Sequence, residues 1–412
     1  MQHTGVVKQC QICGHKKLDE ILSLGHQPIV QEYLTAEQLK EKEDTYPLVL
    51  MRCSKCQLLQ LSYVIEPRKV FPRAYPYRTG LTLMLIRNFE ELAQSLYSSG
   101  HFKKGDLVVD IGSNDGTLLK PFKARGARVV GVEPTDAAAV ANKSGIKTLQ
   151  EFFSATSVKK IKKQYGVARV ITATNVFAHI NDPSSLVRNI KALMGKESVF
   201  VSESQYLLDI VEKTEFDTIY HEHLRFYALK PLVKLFATHG MSLVDAERIH
   251  AAGGSIRVYA AVGKHPLSAR AKKLIRAEER AGLYNEKKLR AFAHKAYRAK
   301  TDLLALLLKC KKEGKSIAGL TSSARSNTLL GFCGIDNTIL DYSGEKKGSP
   351  KIGLYTPGTH IPVVDEARIL KDQPDYLLVL SWHIGPELIK IMKKLGYKGK
   401  FILPLPTPKI VS

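Results

Sequence analysis

The sequence lacks the features of membrane-spanning and secreted proteins. Its densest apolar run within 412 residues, 303–308, is six residues long, whereas a spanning helix needs about 18. Segment 1–10 has no apolar core of a secretory signal peptide, and the length excludes a disulfide-stapled miniprotein. With 44% hydrophobic and 25% charged residues, the composition is that of a folded chain of two or three domains. We therefore expect a cytoplasmic protein that does not enter the membrane.

Acidic residues are few relative to basic ones: 39 Asp and Glu stand against 62 Lys and Arg, a net charge of +23. Between Lys264 and Lys315, 16 basic residues accompany five acidic ones. Apolar residues recur there at helical spacing, which predicts two helices with a solvated basic face. Aromatic residues are not interleaved with the basic ones as stacking on single-stranded nucleic acid requires. The charge therefore favours a small phosphate-bearing substrate, and nucleic acid is the weaker alternative.

Four of the six cysteines form two C-x2-C pairs, namely Cys10, Cys13, Cys53 and Cys56. Two such pairs on tight turns can fill all four positions of a tetrahedral zinc ion, which leaves no position for water or substrate. The spacing therefore predicts a structural zinc site; the alternatives are a redox dithiol and a chance pattern. Cys310 and Cys333 stand alone among apolar or small residues and are predicted to lie in the core.

An extended, tyrosine-rich segment, 71–80, separates the cysteine pairs from a region of alternating strands and helices. In the first unit, strands are predicted at 107–111, 128–132, 169–173 and 198–202, with a helix at 183–193. In the second unit, strands are predicted at 316–320, 375–380 and 401–405, with helices at 324–333 and 386–395. This alternation predicts a doubly wound α/β sheet in the central unit and a second α/β domain after the basic helices.

The first predicted strand of the central unit ends in a glycine-containing turn, Asp110-x-Gly112-x-x-x-Gly116. Glycines let the backbone approach a ligand closely, and Glu133, which ends the next strand, can accept hydrogen bonds from ribose hydroxyls. The turn lacks the full G-x-G-x-x-G that places a pyrophosphate on a helix N-terminus, which argues against NAD or FAD. It resembles the first motif of the S-adenosylmethionine-dependent methyltransferases; the alternative is a purely structural glycine turn.

The densest string of reactive side chains is Tyr220-His221-Glu222-His223. Histidines separated by one residue point apart on a helix, so the string is not a helical zinc-protease motif. In a turn, such a set can supply a general base and hydrogen-bond donors for an enolate; the alternative is a polar patch that caps the next helix. His179 follows the strand at 169–173, where ligands of such sheets bind, unless it is structural.

Further strings complete a pattern that runs through nearly the whole chain. They are Asn175-Val-Phe-Ala-His179-Ile, His250-Ala-Ala-Gly-Gly-Ser-Ile-Arg257, Ser326-Asn327-Thr and Tyr355-Thr-Pro-Gly-Thr-His360. In this order, the motifs resemble those of the sugar C-methyltransferase family, typified by 3-C-methyltransferases of nucleotide-linked 4-keto-deoxyhexoses. The resemblance implies a zinc-binding domain (1–72), a class I methyltransferase domain (73–265), a basic helical connector (266–315) and a Rossmann-like nucleotide-sugar domain (316–412).

The resemblance also implies the activity and its residues. It implies an S-adenosylmethionine-dependent C-methyltransferase with structural zinc, which deprotonates a nucleotide-diphosphate keto-deoxysugar next to its ketone and methylates the enolate carbon. His223 is the predicted base. The implied catalytic residues are Tyr77, His179, Tyr220, Glu222 and His223. The implied cofactor-binding residues are Asp110, Gly112, Ser113, Asn114, Gly116, Glu133, Phe153 and Asn175. The implied substrate-binding residues are Tyr75, Arg325, Asn327, Tyr355, Thr356 and His360.

The chain departs from the family pattern where substrate is expected to bind. Thr79 and Gly80 follow the tyrosine pair where the family continues with two serines, and Asn88 stands at a histidine position. In the C-terminal domain, Arg325 replaces a lysine and can meet a phosphate bidentately, whereas Ser326 replaces a glycine and restricts close backbone approach. These departures make the identity of the substrate the least determined part of the resemblance.

Three alternatives to this function stay open at this point. The acceptor could be a sugar oxygen or nitrogen, the substrate could be RNA, or the chain could be a nucleotide-sugar-binding protein without catalysis. The intact base cluster favours methylation at carbon, because alkylating an amine needs no enolate. The sequence does not determine the nucleotide, the sugar, the ring position, the oligomeric state or which of Tyr75 and Tyr77 is catalytic.

Overall fold

The N-terminal part is a small antiparallel sheet. A computed structural model of the chain describes residues 4–412, apart from the side chain of Ala252, so residues 1–3 of the predicted zinc domain lie outside the described residues. Its elements are β1 (Gly5–Val6), β2 (Leu18–Gln27), β3 (Tyr46–Cys53), β4 (Leu59–Leu61), β5 (Tyr63–Val64) and α1 (Pro67–Val70). Strands β2, β3 and β4 form a meander, and β1 pairs with β5.

The central part is a seven-stranded α/β sheet. Its strands are β6 (Leu107–Ile111), β7 (Arg128–Val132), β8 (Thr148–Leu149), β9 (Ala168–Thr174), β10 (Met194–Gln205), β12 (Met241–Ile249) and β13 (Ser255–Val262). Its helices are α2 (Leu83–Ser98), α3 (Leu119–Ala124), α4 (Ala137–Lys143), α5 (Ala155–Tyr165), α6 (Pro183–Leu193), α7 (Leu207–Lys213) and α8 (Leu229–Thr238). The strand order is β12-β13-β10-β9-β6-β7-β8, and β13 is antiparallel to both of its neighbours. The predicted doubly wound class I sheet is confirmed.

Strand β11 (Arg225–Phe226) pairs with β4 of the N-terminal sheet rather than with the central one. The loop that carries the Tyr-His-Glu-His string is therefore attached to the zinc domain by backbone hydrogen bonds immediately after His223. The hairpin β12–β13, which the sequence analysis did not single out, completes the other edge of the central sheet.

The two helices predicted in the basic segment are α9 (Ala269–Arg280) and α10 (Glu286–Lys312). Helix α10 packs against β2, α7 and α11 (Ala324–Cys333) of the C-terminal part, and so contacts all three parts of the chain. Its buried face is apolar, with Leu289, Phe292, Leu303 and Leu307 each at most 2% exposed. The basic side chains lie between these apolar positions. Among the described residues, no helix combines the length and the apolar character that crossing a bilayer requires.

The C-terminal part is a second α/β sheet. Its strands are β14 (Ile317–Leu320), β15 (Ser343–Glu345), β16 (Val363–Asp365), β17 (Tyr376–Val379), β18 (Lys400–Leu403) and β19 (Lys409–Val411), and its helices are α11 (Ala324–Cys333), α12 (Ala367–Asp372) and α13 (Gly385–Lys394). The order β16-β15-β14-β17-β18-β19 is parallel except for the last pair. The predicted Rossmann-like unit is present, and the strands that sequence analysis missed are three residues long.

Candidate active site

The four cysteines of the C-x2-C pairs meet at one end of the N-terminal sheet. Their sulfur atoms all lie within 4.8 Å of one another, with Sγ–Sγ distances of 3.4 Å for Cys10–Cys56 and 3.6 Å for Cys13–Cys53. Four Zn–S bonds of about 2.3 Å in a tetrahedron place the sulfurs about 3.8 Å apart, so the cluster fits a zinc ion. The chain carries the predicted structural zinc site, and Cys310 and Cys333 are buried core residues elsewhere.

The two cysteine turns have the same backbone geometry. Gly14 donates its N–H to the Cys10 carbonyl oxygen and Gln57 donates its N–H to the Cys53 carbonyl oxygen, each at 2.9 Å. Gly14 and Gln57 both adopt left-handed φ values, +69° and +66°. The repeated turn presents two thiols from each pair on one side, as a tetrahedral site requires.

A cavity of about 1610 Å³ lies where the three parts of the chain meet. The tyrosine-rich segment forms one wall, the carboxyl ends of β6, β7, β9 and β10 form the second, and the carboxyl ends of β14, β15 and β17 form the third. Ligands of open α/β sheets bind at such strand ends. Two sheets of this kind therefore share one cavity.

Most of the predicted cofactor residues line this cavity. They are Asp110, Gly112, Ser113, Asn114, Glu133, Phe153 and Asn175. Gly116 is not among the described residues that line it; a Cβ there would lie 3.0 Å from Ile146, so this glycine serves packing inside the turn. Gly112, at φ +67°, faces Val176 so closely that a Cβ would lie 2.4 Å from Val176 Cγ2.

Glu133 is fixed by the loops around it. Its Oε2 accepts the backbone N–H of Asn114 at 3.0 Å, and its Oε1 accepts the Thr135 N–H at 2.9 Å and the Thr135 hydroxyl at 2.7 Å. A carboxylate has about four acceptor positions, so one stays available for a ribose hydroxyl. Asp110 is oriented by the Thr172 hydroxyl at 2.6 Å, and burial raises the pKa of Asp110 to about 8.

The tyrosine-rich segment covers this turn. The N–H of Thr79 donates to Asn114 Oδ1 at 3.0 Å, and the N–H of Gly80 donates to Asp115 Oδ2 at 2.8 Å. Arg78, from the same segment, forms an ion pair with Asp136 at 2.8 Å. Thr79 and Gly80, which depart from the family pattern, therefore contact the cofactor turn through their backbone.

Four rings form a stack beside the cofactor end of the cavity. Phe71 lies over His179 with centroids 5.6 Å apart, His179 over His223 at 5.1 Å, and His223 against Tyr220 at 4.0 Å. The structure thus brings together His179 and the Tyr-x-Glu-His residues, which the sequence separates. His221 lies elsewhere: its Nε2 is 3.3 Å from the Pro47 carbonyl oxygen, in the zinc domain.

The tautomer of His223 follows from one hydrogen bond. Its Nδ1 lies 2.7 Å from the carbonyl oxygen of Thr218, which can only accept, so Nδ1 carries the hydrogen. Burial lowers the pKa of His223 to about 4, so the ring is neutral at physiological pH and Nε2 is its basic nitrogen. Burial also holds the pKa of His179 well below its usual value. The arrangement can therefore remove a proton at His223 Nε2.

Glu222 links the base cluster to the tyrosine-rich segment. The Tyr75 hydroxyl donates to Glu222 Oε2 at 2.9 Å, whereas Glu222 Oε1 is buried without a hydrogen-bond partner among the described residues. Burial raises the pKa of Glu222 to about 7. Burial, then the Glu222 charge, raises the pKa of Tyr75 well above its usual value, so Tyr75 stays a donor. Tyr77 also lines the cavity but is 39% exposed.

Arg325, predicted to meet a phosphate, lies instead between two carboxylates. Its Nε and Nη2 donate to Asp217 at 2.9 and 2.8 Å, and Nη2 lies 3.4 Å from Glu215. Its guanidinium stacks on Trp382, whose Nε1 also donates to Asp217 at 2.9 Å. Arg325 lines the cavity, yet its charge is matched by the segment that leads into the base cluster.

Three of the other predicted substrate residues of the C-terminal domain, Asn327, Tyr355 and His360, contact the zinc domain. Asn327 donates to the Val30 carbonyl oxygen at 2.7 Å, and His360 Nε2 lies 3.2 Å from Glu43. Tyr355 exchanges backbone hydrogen bonds with Leu34, and Thr356 is buried, with its hydroxyl 2.7 Å from that of Thr359. Among the described residues that line the cavity, none of these four appears. Their position is that of a domain interface, and a direct contact with substrate stays a prediction.

Comparison with known proteins matches three regions of the chain. Family models match a zinc-binding domain over residues 10–71, a methyltransferase domain over 84–246 and a C-methyltransferase C-terminal domain over 250–406. The C-methyltransferase NovU of Streptomyces niveus is 32% identical over 410 residues, which cover 98% of this chain and 97% of NovU. The chain belongs to this C-methyltransferase family. It is an S-adenosylmethionine-dependent methyltransferase.

Other similarities cover smaller parts of this C-methyltransferase. A ubiquinone biosynthesis O-methyltransferase of Colwellia psychrerythraea is 25% identical over 158 residues, 35% of this chain and 63% of that protein. Among solved structures, the magnesium protoporphyrin IX methyltransferase ChlM of Synechocystis PCC 6803, with bound S-adenosylhomocysteine, is similar with a TM-score of 0.35 and 13% identity. That similarity covers 44% of this chain and 84% of ChlM.

The cofactor end of this C-methyltransferase fits S-adenosylmethionine. Gly112 lines this end of the cavity, and Glu133 is an oriented carboxylate whose remaining acceptor position suits a ribose hydroxyl. Ser113 Oγ is buried in the same turn without a partner among the described residues. Ribose needs such an acceptor and adenine needs apolar surroundings, and the apolar side chains of Phe153 and Val176 line the cavity.

A buried ionic network in the C-methyltransferase was missed by sequence reasoning. Asn88 donates to Glu203 Oε2 at 2.7 Å, Arg257 donates to Glu203 Oε1 at 2.5 Å, and Arg257 also donates to Asn88 Oδ1 at 3.0 Å. Asn88 and Arg257 line the cavity. The sequence signal for this network was a charged residue within each of two apolar strands, Glu203 in β10 and Arg257 in β13. Asn88 is therefore held inside the site by this network.

Proposed function

We propose that this enzyme methylates a carbon next to the ketone of a nucleotide-linked keto-deoxysugar. The observation that carries the proposal is the hydrogen bond from His223 Nδ1 to Thr218, which leaves a neutral imidazole with a basic Nε2 beside the cofactor end of the cavity. Methylation of a sugar oxygen or nitrogen does not need an enolate, so a buried neutral base within a polar cluster favours carbon.

Each residue of the cluster has its own role in the proposed reaction. His223 Nε2 takes the proton from the carbon next to the ketone, and the electrons of the broken C–H bond form the enolate. Tyr220 and His179 supply donors for the enolate oxygen, and the hydrogen bond from Tyr75 to Glu222 holds these two residues beside the cluster. S-adenosylmethionine, when bound, supplies an electrophilic methyl group whose bond to sulfur breaks with its electron pair remaining on sulfur. The enolate carbon forms the new bond to this methyl group, and His223 then releases the proton to solvent.

The C-terminal sheet supports a nucleotide-linked substrate. The N-terminus of the ten-residue helix α11 follows β14 and begins with the capping pair Ser323 and Ser326. The 321–325 segment lines the cavity, as do Lys346, Lys347 and Lys351. A helix start next to lysines suits a diphosphate. A second nucleotide-type sheet is redundant for an enzyme that binds RNA.

The test separates proton removal from methyl transfer. The enzyme is incubated in deuterated water with S-adenosylhomocysteine and thymidine-diphosphate-4-keto-6-deoxyglucose, and deuterium at the carbons next to the ketone is followed by NMR. We expect exchange by the wild type, loss of exchange in His223→Gln and retained exchange in His250→Gln, which alters an exposed histidine lining the same cavity. Methylation of oxygen or nitrogen without exchange, or methylation of RNA alone, would overturn the proposal.

A further inference from the structure

The C-terminal sheet has a topological switch point that opens into the cavity. From β14 the chain continues to β15 on one side and later to β17 on the other, so the order reverses between β14 and β17. Ligands bind outside the strand ends at such a point. Thr321 and Ser322 after β14, and Ser381 and His383 after β17, line the cavity there.

Glu345 occupies in this sheet the position that Glu133 occupies in the central one. Glu133 directly follows β7, and Glu345 ends β15. Each of these strands is the second of its unit and lies parallel to the first, β6 or β14. Each carboxylate accepts a backbone N–H from the turn after the first strand: Glu133 from Asn114 at 3.0 Å and Glu345 from Ser322 at 3.2 Å. Both residues line the same cavity.

The Glu345 carboxylate keeps capacity for a ligand. Its Oε2 accepts from Ser322 and its Oε1 accepts from the N–H of Lys346 at 2.9 Å, which uses two of about four acceptor positions. The side chain is half-buried rather than enclosed. The loop after it is basic, and Lys351 is anchored beside the turn by donating to the Ser322 carbonyl oxygen at 2.7 Å. An acceptor for hydroxyls thus lies next to cations suited to phosphates.

We infer that Glu345 accepts a hydrogen bond from the ribose 3′-hydroxyl of a nucleoside diphosphate, the carrier of the sugar substrate. The inference rests on the proposed function. The enzyme then has two ribose-binding carboxylates that face one cavity, Glu133 for the cofactor and Glu345 for the substrate. Lys346, Lys347 and Lys351 balance the charge of the diphosphate.

The test uses calorimetric titration of the zinc-loaded enzyme with thymidine, uridine and guanosine diphosphate, and then with the 3′-deoxy form of the tightest binder. Glu345→Gln is compared with Glu387→Gln, which removes the same charge from an exposed position on the same cavity. Loss of a negative charge near a diphosphate by itself strengthens binding. A weakened complex in Glu345→Gln alone therefore reports a lost hydrogen bond.

We expect Glu345→Gln to weaken nucleotide binding about tenfold or more, the usual effect of losing a hydrogen bond to a charged group. Glu387→Gln should bind as the wild type or more tightly. Removing the 3′-hydroxyl from the nucleotide should weaken its binding to the wild type by a similar factor. The same change should have little effect on binding to Glu345→Gln. S-adenosylhomocysteine should bind both variants normally, which verifies that they fold.

Three results would overturn the inference. The first is wild-type nucleotide affinity in Glu345→Gln, and the second is undiminished affinity of the wild type for the 3′-deoxy nucleotide. The second measurement uses only the unaltered enzyme, so it holds even if the variant folds poorly. The third is S-adenosylhomocysteine binding without any nucleotide binding by the wild type, and only this result also removes the nucleotide-linked substrate of the proposed function.

Discussion

The phenolic oxygen of Tyr75 lies 2.9 Å from Oε2 of Glu222, 147 positions away in the sequence. This hydrogen bond joins the segment that covers the cofactor turn to the loop that carries the base. Closure over the cofactor and assembly of the base cluster are thereby connected through two side chains. Tyr77, two residues further on, makes no such contact with the cluster among the described hydrogen bonds.

Tyr75→Phe should therefore impair catalysis more than Tyr77→Phe does. Loss of the hydroxyl leaves Glu222 without its partner and removes the link between the tyrosine-rich segment and the loop that carries the base. Because misplaced catalytic groups cost about a hundredfold, we expect kcat to fall by that factor. Steady-state methyl transfer for both variants, with S-adenosylhomocysteine affinity as the control for folding, checks this. An equal or larger loss in Tyr77→Phe would contradict it and make Tyr77 the catalytic tyrosine.

The rate should depend on an ionisation near pH 7 that belongs to Glu222. Because the pKa of Glu222 is about 7 and that of His223 about 4, His223 is already basic above pH 5, and the remaining acid limb comes from Glu222. We expect kcat to rise with pH through about 7, as Glu222 ionises and accepts more strongly from Tyr75. In Glu222→Gln, this limb should be absent. If the acid limb of the pH–rate profile persists in Glu222→Gln, the ionisation belongs to another group.

The raised pKa of Glu222 should also make the free energy of unfolding depend on pH. The folded-state pKa of Glu222 is raised, so its protonated form stabilises the fold below about pH 4.5, and this contribution is lost as pH rises through about 7. The loss is on the order of 3 kcal/mol. Urea unfolding at pH 5 and pH 8 should show the wild type losing more stability than Glu222→Gln between the two. Identical pH dependence in both proteins would contradict the shift.

Arg325→Ala should strongly destabilise the fold. Asp217 and Glu215 are at most 1% exposed, and removal of Arg325 leaves these buried charges without their main cation. We expect the free energy of unfolding to fall by about 3–5 kcal/mol. The matched control is Lys315→Ala, which breaks an exposed pair with Asp375 and should cost under about 1 kcal/mol.

The Arg325 result also decides between two roles for this residue. If Arg325→Ala is as stable as Lys315→Ala and weakens nucleoside diphosphate binding, the arginine is the phosphate ligand that the sequence predicts. If stability falls and S-adenosylhomocysteine still binds, it holds the segment before the base cluster.

Loss of zinc should lower kcat without weakening the cofactor complex. Strand β4 of the zinc domain pairs with β11 directly after His223, and Arg225 of β11 donates to Gln11 between two of the cysteines at 2.8 Å. Cys13→Ser should release zinc, lower the melting temperature and reduce kcat at least tenfold, because zinc binding is coupled to folding of such a domain. Metal content, melting and S-adenosylhomocysteine titration check this, with Cys310→Ser as the control that retains zinc. Unchanged turnover without zinc would contradict it.

Much of the architecture was predictable because its signals are local. The C-x2-C pairs, the strand that ends in Asp110-x-Gly112 and the apolar spacing of the two basic helices each lie within a few residues. Each has one physical solution: a thiol turn, a ligand-facing loop or a helix with one buried face. The short strands β15 and β16 escaped because three residues are too few for a periodic pattern.

The sequence by itself determined the zinc ligands, the order of the α/β units and the residue types available for proton removal. Only the tertiary structure decided which of them meet: Tyr75 with Glu222, and Arg325 with Asp217. It also placed Glu345 and Glu133 on the same cavity. These partners are far apart in the chain, and buried charges and hydroxyls must be satisfied by whatever group the packing of the three domains brings within hydrogen-bond distance. No local pattern encodes that choice, because it depends on how the sheets meet around the shared cavity.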